Sequence, residues 1–452
     1  MTTQSSTTFP STGAPGDVSE YLGWGHRLGF SSQQLASDRE LVRYFCVPTL
    51  EEGRAILNRA TEAQRRQRQT TFFHPAIAAR SRLGQGRHDR GEAVLFAAAE
   101  VEPRDLQGID LHLPVHVKAI SVSEKVVRSG EDWDVSVRGD HWGIGDRQEL
   151  YVAVNVQRLV LEAGATVSVH GNVLSFLCQQ LEASAGARIR ILGTPFSVDV
   201  KHGPHDGRPG AAGAAGEDGA AGVAPLLSRC ILGERLAQPF SAARLAGGSG
   251  TPGAPGAPGG AGRNGGMAKA AEVTLRDVSG ELTIFAQAGQ GGDGGRGGDG
   301  GRGGCGGNGA HGHRLLEGDL PAGCGGNGGR GGDGGRGGHA GHGGLASNIY
   351  VNVAMSDAAR VRCVSLPAAG GRRGEGGRAG AGGAGGTAQR GTRDFEQAEP
   401  GVAGASGIDG DAGMRGRVRP GAVIFLNEEP VTPILARSSS ALGAATPEKA
   451  KS

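Results

Sequence analysis

Aromatic residues, long apolar runs and paired cysteine motifs are scarce or missing, and each absence excludes a class of protein. Aromatic residues make up 4% and hydrophobic residues 37% of the 452 residues, which is too little apolar material for one packed globule of this length. No window approaches about 18 consecutive apolar residues, so no transmembrane helix is predicted. The six cysteines include no Cys-x-x-Cys pair, which argues against a zinc ribbon and a disulfide scaffold.

The chain also lacks a strong net charge and a recognisable export leader. Its 47 basic and 45 acidic residues leave a net charge of +2, whereas a nucleic-acid-binding protein needs a basic field. Residues 1–16 have neither a basic start nor an apolar core, so no Sec signal peptide is predicted. The default prediction is a cytoplasmic protein with no membrane span and no nucleic-acid partner. Release as part of a particle or by dedicated export stays open.

Glycine is what the chain has in excess, and it is unevenly placed. Of the 86 glycines, 67 lie between residues 201 and 421. An ordinary front half therefore precedes a glycine-dominated back half.

The first part of the chain is predicted to be partly helical. Residues 19–110 form a small N-terminal domain in this interpretation, between a disordered tail at 1–18 and the strands that follow. Its best helix starts at the capping pattern Thr49-Leu50-Glu51-Glu52 and runs to Gln69.

Residues 111–200 change to a period of two, which is typical of strands. The segment Ala163–Gly171 aligns with Ala185–Gly193, an offset of 22 residues that suits one coil of a β-solenoid. Similar strand patterns recur at 273–277, 281–286, 349–353, 360–365 and 422–426. The predicted class is therefore mainly β, with solenoid-like coils that continue to residue 426 and a disordered tail at 427–452.

Three glycine-rich hairpins are inserted between these strand patterns, at 201–266, 287–345 and 370–421. They hold six tracts with a strict period of three, which we number in chain order: 207–222, 247–265, 290–308, 324–342, 371–386 and 401–416. Period three without internal bonding indicates polyproline II geometry. A floppy linker needs no fixed period, collagen needs three chains, and the calcium-binding repeat needs an aliphatic anchor that tracts three and four lack. The remaining interpretation is a six-strand polyglycine II bundle with bonds between neighbouring strands.

Charge pairing predicts a register for tracts three and four. If they fold antiparallel with Cys305 opposite Cys324, these two thiols could also form a disulfide. The same register brings together three opposite charges: Asp293 with Arg336, Arg296 with Asp333, and Asp299 with Arg330. Exposed pairs contribute about 0–1 kcal/mol each, so they would set the register more than the stability.

Residues 201–421 resemble polyglycine II proteins, in particular the glycine-rich adhesins of phage tail-fibre tips and the snow-flea antifreeze proteins. The resemblance implies a six-strand bundle. It also implies receptor recognition on loops at one end, as in the adhesins, or ice binding on a flat face of small residues. The chain departs from the antifreeze pattern because tracts three and four carry Asp, Arg and His. Mycobacterial glycine-rich repeat proteins are similar over the same region.

The hairpin tips are the predicted binding surface. The first two tips carry these candidate contact residues: Leu226, Leu227, Ile231, Phe240, His311, His313 and Arg314. Apolar residues at a tip indicate a contact surface, although they could instead fold back onto the bundle.

Little in the sequence indicates catalysis. It contains no nucleophile elbow, no phosphate loop and no His-Glu-x-x-His motif. Asp132, Asp134, Arg188 and Arg190 could act on a polysaccharide if they met on one sheet face, but solvation of alternating strand residues is the better explanation.

We therefore expect a non-enzymatic structural or binding protein, an adhesin-like scaffold that displays its tips to a protein or glycan surface. No cofactor and no metal are predicted, and oligomers stay open. The alternatives are a β-solenoid enzyme that acts on polysaccharide and an ice- or surface-binding protein.

Overall fold

The computed structural model describes residues 18–72, 90–106, 108–144, 149–194, 205–390 and 398–431. The helices are α1 (Ser19–Arg27), α2 (Ser32–Leu35), α3 (Leu50–Leu57), α4 (Glu62–Phe72), α5 (Arg90–Phe96) and α6 (Pro103–Leu106). The first strands are β1 (Leu41–Val47), β2 (Val115–Val127), β3 (Asp132–Asp134), β4 (Leu150–Leu161), β5 (Thr166–His170), β6 (Val173–Ala183) and β7 (Arg188–Leu192). The others are β8 (Leu227–Cys230), β9 (Gly233–Leu236), β10 (Ala271–Gly280), β11 (Leu282–Gln287), β12 (Ile349–Val353), β13 (Val361–Leu366), β14 (Ile424–Leu426) and β15 (Glu429–Pro430).

Two sheets organise the strands. The central sheet has eight strands in the order β1-β2-β4-β6-β10-β12-β14-β15, and the outer sheet has five in the order β13-β11-β7-β5-β3. Apart from the β8–β9 hairpin, the chain alternates between the two sheets from β2 to β14. Neighbours within this stretch run parallel, whereas β1 and β15 pair antiparallel at the two edges of the central sheet.

The middle strands of the central sheet are buried on both faces. Val154 and Phe176 point to the outer sheet and pack with Ile284, while the opposite face is covered by helical residues such as Trp24 and Leu57. A strand with two buried faces is apolar at consecutive positions rather than at alternate ones. This explains the uninterrupted run of buried residues at 150–156.

The predicted fold class is wrong. The described chain is mixed α/β, with 14% helix and 28% strand, an eight-stranded mixed sheet and a five-stranded parallel sheet, and not a mainly β fold of solenoid-like coils. The physical reason is the helical layer, because α1, α3, α4 and α5 pack on the central sheet.

The helix that starts at the predicted capping residue is shorter than expected. The Thr49 hydroxyl accepts the Glu52 N–H at 3.3 Å, so the N-cap prediction is confirmed. Helix α3 then ends at Leu57, and residues to Gln69 belong mostly to the separate helix α4.

A buried ion cluster fastens α4 to the central sheet. The Arg68 guanidinium donates to Glu272 at 3.0 Å and to Glu428 at 2.6 Å, and it lies 4.2 Å from the ring centroid of Tyr350. Burial alone would lower the pKa of Arg68, but the two carboxylates outweigh burial and raise that pKa above its ordinary value. The cluster therefore holds a permanent cation between two carboxylates that are shielded from water.

We expect Arg68→Gln to destabilise the fold by about 3–5 kcal/mol, because two buried carboxylates lose their cation. The matched control is Arg66→Gln on the same helix, whose exposed pair with Glu62 contributes less than about 1 kcal/mol. Denaturant unfolding measures both, and equal losses would contradict the assignment.

The three glycine hairpins leave the sheets at equivalent points. Tracts one, three and five follow β7, β11 and β13, which are neighbours in the outer sheet. Tracts two, four and six lead into β10, β12 and β14, which are neighbours in the central sheet. The sheets therefore set the lateral order of the tracts.

The six tracts form two layers joined by backbone hydrogen bonds, which we call the glycine bundle. In the outgoing layer (tracts one, three and five) the Gly213 N–H donates to Asp299 O at 2.8 Å, and the Gly300 N–H donates to Arg378 O at 2.8 Å. In the returning layer (tracts two, four and six) the same pattern repeats, for example from Gly334 N–H to Ile408 O at 2.8 Å. Neighbours within a layer run parallel, and the two layers run antiparallel to each other.

The predicted pairing of tracts three and four does not form. The tracts are antiparallel, but the Gly335 N–H bonds Gly298 O and the Gly332 N–H bonds Gly301 O, which displaces the predicted register by about one triplet. Side chains link tract three to its two neighbours in the outgoing layer, because Asp206 accepts the Asp293 N–H and Asp293 accepts the Arg372 N–H. Tract four is linked in the same way within the returning layer, because Asn264 accepts the His342 N–H and Asp333 accepts the Ile408 N–H. Their charges therefore project from opposite faces of the bundle.

The predicted partners take other bonds for this reason. The observed ion pairs are Arg296 with Asp299, Arg330 with Asp333, and Arg372 with Asp293, and Arg336 forms none of the predicted pairs. Cys305 and Cys324 are both free thiols, in different layers.

Gly298→Ala should destabilise the bundle by about 3 kcal/mol, because the new Cβ would lie 1.9 Å from Ala211 O. In Gly248→Ala the nearest atom is 3.2 Å away, so this control should lose much less. Hydrogen exchange of the bundle amides and the melting temperature are measured for both variants and distinguish them. Equal protection in both variants would contradict the close backbone approach.

Candidate functional site

Two hairpin tips meet at the end of the glycine bundle that is remote from the sheets. The first tip is residues 223–246, which include the β8–β9 hairpin, and the second is residues 310–323. The Leu316 N–H of the second tip donates to Glu234 O of the first at 2.9 Å. Residues 391–397 of the third tip lie outside the described residues.

The two tips share a small apolar interior. Leu245 of the first tip and Leu315 of the second are buried, and the Ala310 N–H donates to Leu245 O at 2.8 Å. These contacts give the tips a defined shape.

Several of the predicted contact residues are displayed to solvent. Ile231, at the turn of the β8–β9 hairpin, is 105% exposed and Leu226 is 66% exposed. His311 and Arg314 are exposed as well, whereas His313 is half-buried. Their exposure leaves the tips available for contact with another molecule.

Leu227 and Phe240 are half-buried, and the Arg244 guanidinium lies 5.5 Å from the centroid of the Phe240 ring. Leu232, another apolar residue of the first tip, is 84% exposed. The prediction omitted Leu316, which is 51% exposed and whose sequence signal was adjacency to another aliphatic residue within a tip. In the one dileucine of the second tip, Leu315 is buried and Leu316 faces outward.

Side chains along the tracts set the register between neighbouring tracts of the same layer. Asp, Asn and His side chains accept the backbone N–H of the next tract in the same layer. In the returning layer the donors and acceptors are Val402 to Asn327 (2.9 Å), Ile408 to Asp333 (2.9 Å), Met414 to His339 Nδ1 (2.9 Å) and Arg417 to His342 Nδ1 (3.0 Å). In the outgoing layer they are Arg372 to Asp293 (2.7 Å), Arg378 to Asp299 (2.8 Å) and Thr387 to Asn308 (2.8 Å).

These acceptors remove an ambiguity in the glycine repeat. Sliding one tract by three residues would restore the backbone bonds, because the glycine pattern is unchanged. The same slip would place an Arg, for example Arg330 or Arg336, where Asp333 now accepts. The outward side chains therefore select one register among several that the backbone allows.

We expect Asp333→Ala to expose the Ile408 amide to exchange about five-fold faster, because it loses an acceptor that contributes about 1 kcal/mol. Asp333→Asn keeps an oxygen acceptor and should leave that amide protected. Residue-resolved hydrogen exchange is the measurement, and an unchanged rate in the Ala variant would contradict the role.

The four residues considered as an alternative for polysaccharide chemistry do not form an acid–base pair. Arg188 and Arg190 line an open groove of about 440 Å³ on the outer sheet, whose lining residues include no carboxylate. Asp132 accepts the hydroxyls of Thr166 and Ser168, and Asp134 accepts that of Ser136. Both aspartates are engaged within the sheet.

Buried polar groups under the helical layer form another cluster. Glu92 pairs with Lys269 at 3.1 Å and accepts the Ser347 hydroxyl at 3.1 Å, while Glu149 bonds His112 and Tyr151 nearby. Burial raises the pKa of Glu92, and the opposing pull of Lys269 is smaller. The side chains of Glu92 and Lys269 are almost inaccessible, so we assign this cluster to fastening α5 onto the central sheet.

The described residues contain no group of three or more His, Cys, Asp and Glu side chains placed to hold a metal ion. No helix among them is long and apolar enough to cross a membrane.

Comparison of the chain with protein-family models, with curated proteins and with solved structures gives no match. The function therefore has to be inferred from the geometry of the chain itself.

Proposed function

We propose that this chain is a non-enzymatic binding protein that presents its hairpin tips, on the glycine bundle, to a protein or glycan surface. The observation that carries the proposal is the exposed aliphatic side chains at the joined tips. Leu226, Ile231, Leu232 and Leu316 are each more than half exposed. Leu316 reaches within 3.2 Å of the Cβ position of Gly233, beside Ile231 and Leu232, and exposed aliphatic residues that lie together mark contact sites.

The support beneath the tips favours the same function. The tracts are joined to their neighbours at every triplet by backbone bonds of about 2.8 Å, for example from Gly307 N–H to Gly248 O. A cross-bonded support loses little conformational entropy when its end binds a partner, which raises affinity. The resemblance of residues 201–421 to phage tail-fibre adhesins, which recognise receptors through loops at one end of a bundle, supports this proposal.

The test compares a tip variant with a side variant of the intact chain on protein and glycan arrays. The double substitution Ile231→Asp with Leu232→Asp should weaken binding by at least about 100-fold, because each of the two buried aliphatic side chains contributes about 1.5–3 kcal/mol. The control is Met414→Asp with Val418→Asp, at and just beyond the end of tract six that is nearest the sheets, where each residue is 64% exposed.

The control should bind like the wild-type chain, and all three proteins should melt at similar temperatures. Failure of the wild-type chain to bind any arrayed surface, or equal binding by the tip variant, would contradict the proposal.

A further inference from the structure

Strand β1 leaves one edge of the central sheet open. It pairs with β2 over its full length, from Leu41 opposite Ser121 to Val47 opposite Val115. Within the part of the chain that the structure describes, no other strand pairs with β1, and residues 41–47 form no backbone bond beyond that ladder. Such an edge is a template for another strand.

The usual protections of an edge strand are missing from β1. Its sequence, Leu-Val-Arg-Tyr-Phe-Cys-Val, contains no Pro, Gly or Lys, and its continuous ladder with β2 contains no bulge. Its one charged side chain, Arg43, donates to Gly29 O at 2.9 Å. Seven residues of this composition pair readily when they are left open.

The face of β1 on the side of the outer sheet is also incompletely covered. The outer sheet ends at β3, which pairs with β5, so no described strand of that sheet lies over β1. The exposed Tyr44 ring instead stacks on His141, with centroids 4.1 Å apart, and meets the edge of Trp142 at 5.9 Å. Val42 is 45% exposed beside it.

We propose that a second copy of this chain pairs with this edge, β1 against β1, antiparallel about a two-fold axis at Tyr44. A symmetric contact requires a surface that complements itself. Centring the axis on Tyr44 pairs Leu41 with Val47, Val42 with Cys46 and Arg43 with Phe45, and it opposes Tyr44 to itself.

This register is the one that the charges and the strand length favour. A two-fold axis at Arg43 would oppose two guanidinium groups, which is unfavourable for residues directly across from each other. An axis at Val42 would place Glu40 opposite Tyr44 and would leave residues 44–47 without partners in the strand. The axis at Tyr44 uses all seven residues and opposes no like charges.

The pairing would join the two central sheets into one continuous sheet. Because the contact is antiparallel, the strands of one copy run opposite to those of the other. The roots of the two glycine bundles would therefore lie at opposite ends of the joint sheet. This inference is independent of what the tips bind.

The experiment measures the mass of the intact chain in solution by light scattering after size exclusion, over a range of micromolar concentrations. The wild-type chain should have twice its chain mass. Tyr44→Lys and Tyr44→Glu should each be monomeric, because each opposes like charges at the axis. An equimolar mixture of the two variants should restore the dimer, because it opposes Lys to Glu.

Val402→Lys on tract six is the matched control and should stay dimeric. Melting temperatures identify a variant that fails to fold, and restoration in the mixture cannot arise from misfolded chains. A monomeric wild-type chain would overturn the proposal, as would dimeric single variants. A dimer that Tyr44→Lys breaks and the mixture does not restore would overturn the two-fold register.

Discussion

The structure depends on how closely glycine backbones approach one another in the bundle. At Gly210 a Cβ atom would lie 2.0 Å from Ala257 O, and at Gly301 it would lie 1.9 Å from Ala214 O. Carbonyl oxygens therefore occupy the space where side chains would begin. Every other residue type must stand at the outward positions of the triplets or at the tips, so the chemistry of this half of the chain is confined to its two faces and its end.

The two sheets determine the lateral order of the tracts, which the glycine repeat does not determine. Outgoing tracts continue from neighbouring strands of the outer sheet, and returning tracts enter neighbouring strands of the central sheet. The strand order therefore determines which tract lies beside which. The outward Asp, Asn and His acceptors then determine how far each tract is displaced along its neighbour. Order and register have separate physical origins, one in the sheets and one in side-chain hydrogen bonds.

Buried ions and exposed apolar residues lie in different parts of the structure. Under the helices, Arg68, Glu92 and Lys269 are shielded from water and matched with opposite charges, as buried ions must be. These groups join layers. On the tips and along β1 the unmatched feature is apolar, and both places expose it to solvent. The surfaces that can meet another molecule are therefore found where a layer ends, either the last triplet of the bundle or the last strand of a sheet.

Local patterns predicted what depends on near neighbours in the chain. The Thr49 N-cap follows from a side chain and an N–H three residues apart, and the strands from alternating or continuous apolar runs. The tip positions of Leu226 and Ile231 could be predicted because a tip is simply where the period of three stops. The charge register failed because it assumed that tracts three and four present their side chains on one face. That face is decided by tracts one, two, five and six, which are distant in the chain.

The amino-acid sequence by itself determined where backbones can approach closely, since a glycine at every third position permits it without reference to any partner. Only the tertiary structure decided which layer each tract joins, which face each charge occupies and that helices cover the central sheet. Those outcomes depend on contacts between residues tens to hundreds of positions apart, such as Arg68 with Glu428, and a periodic pattern carries no information about such contacts.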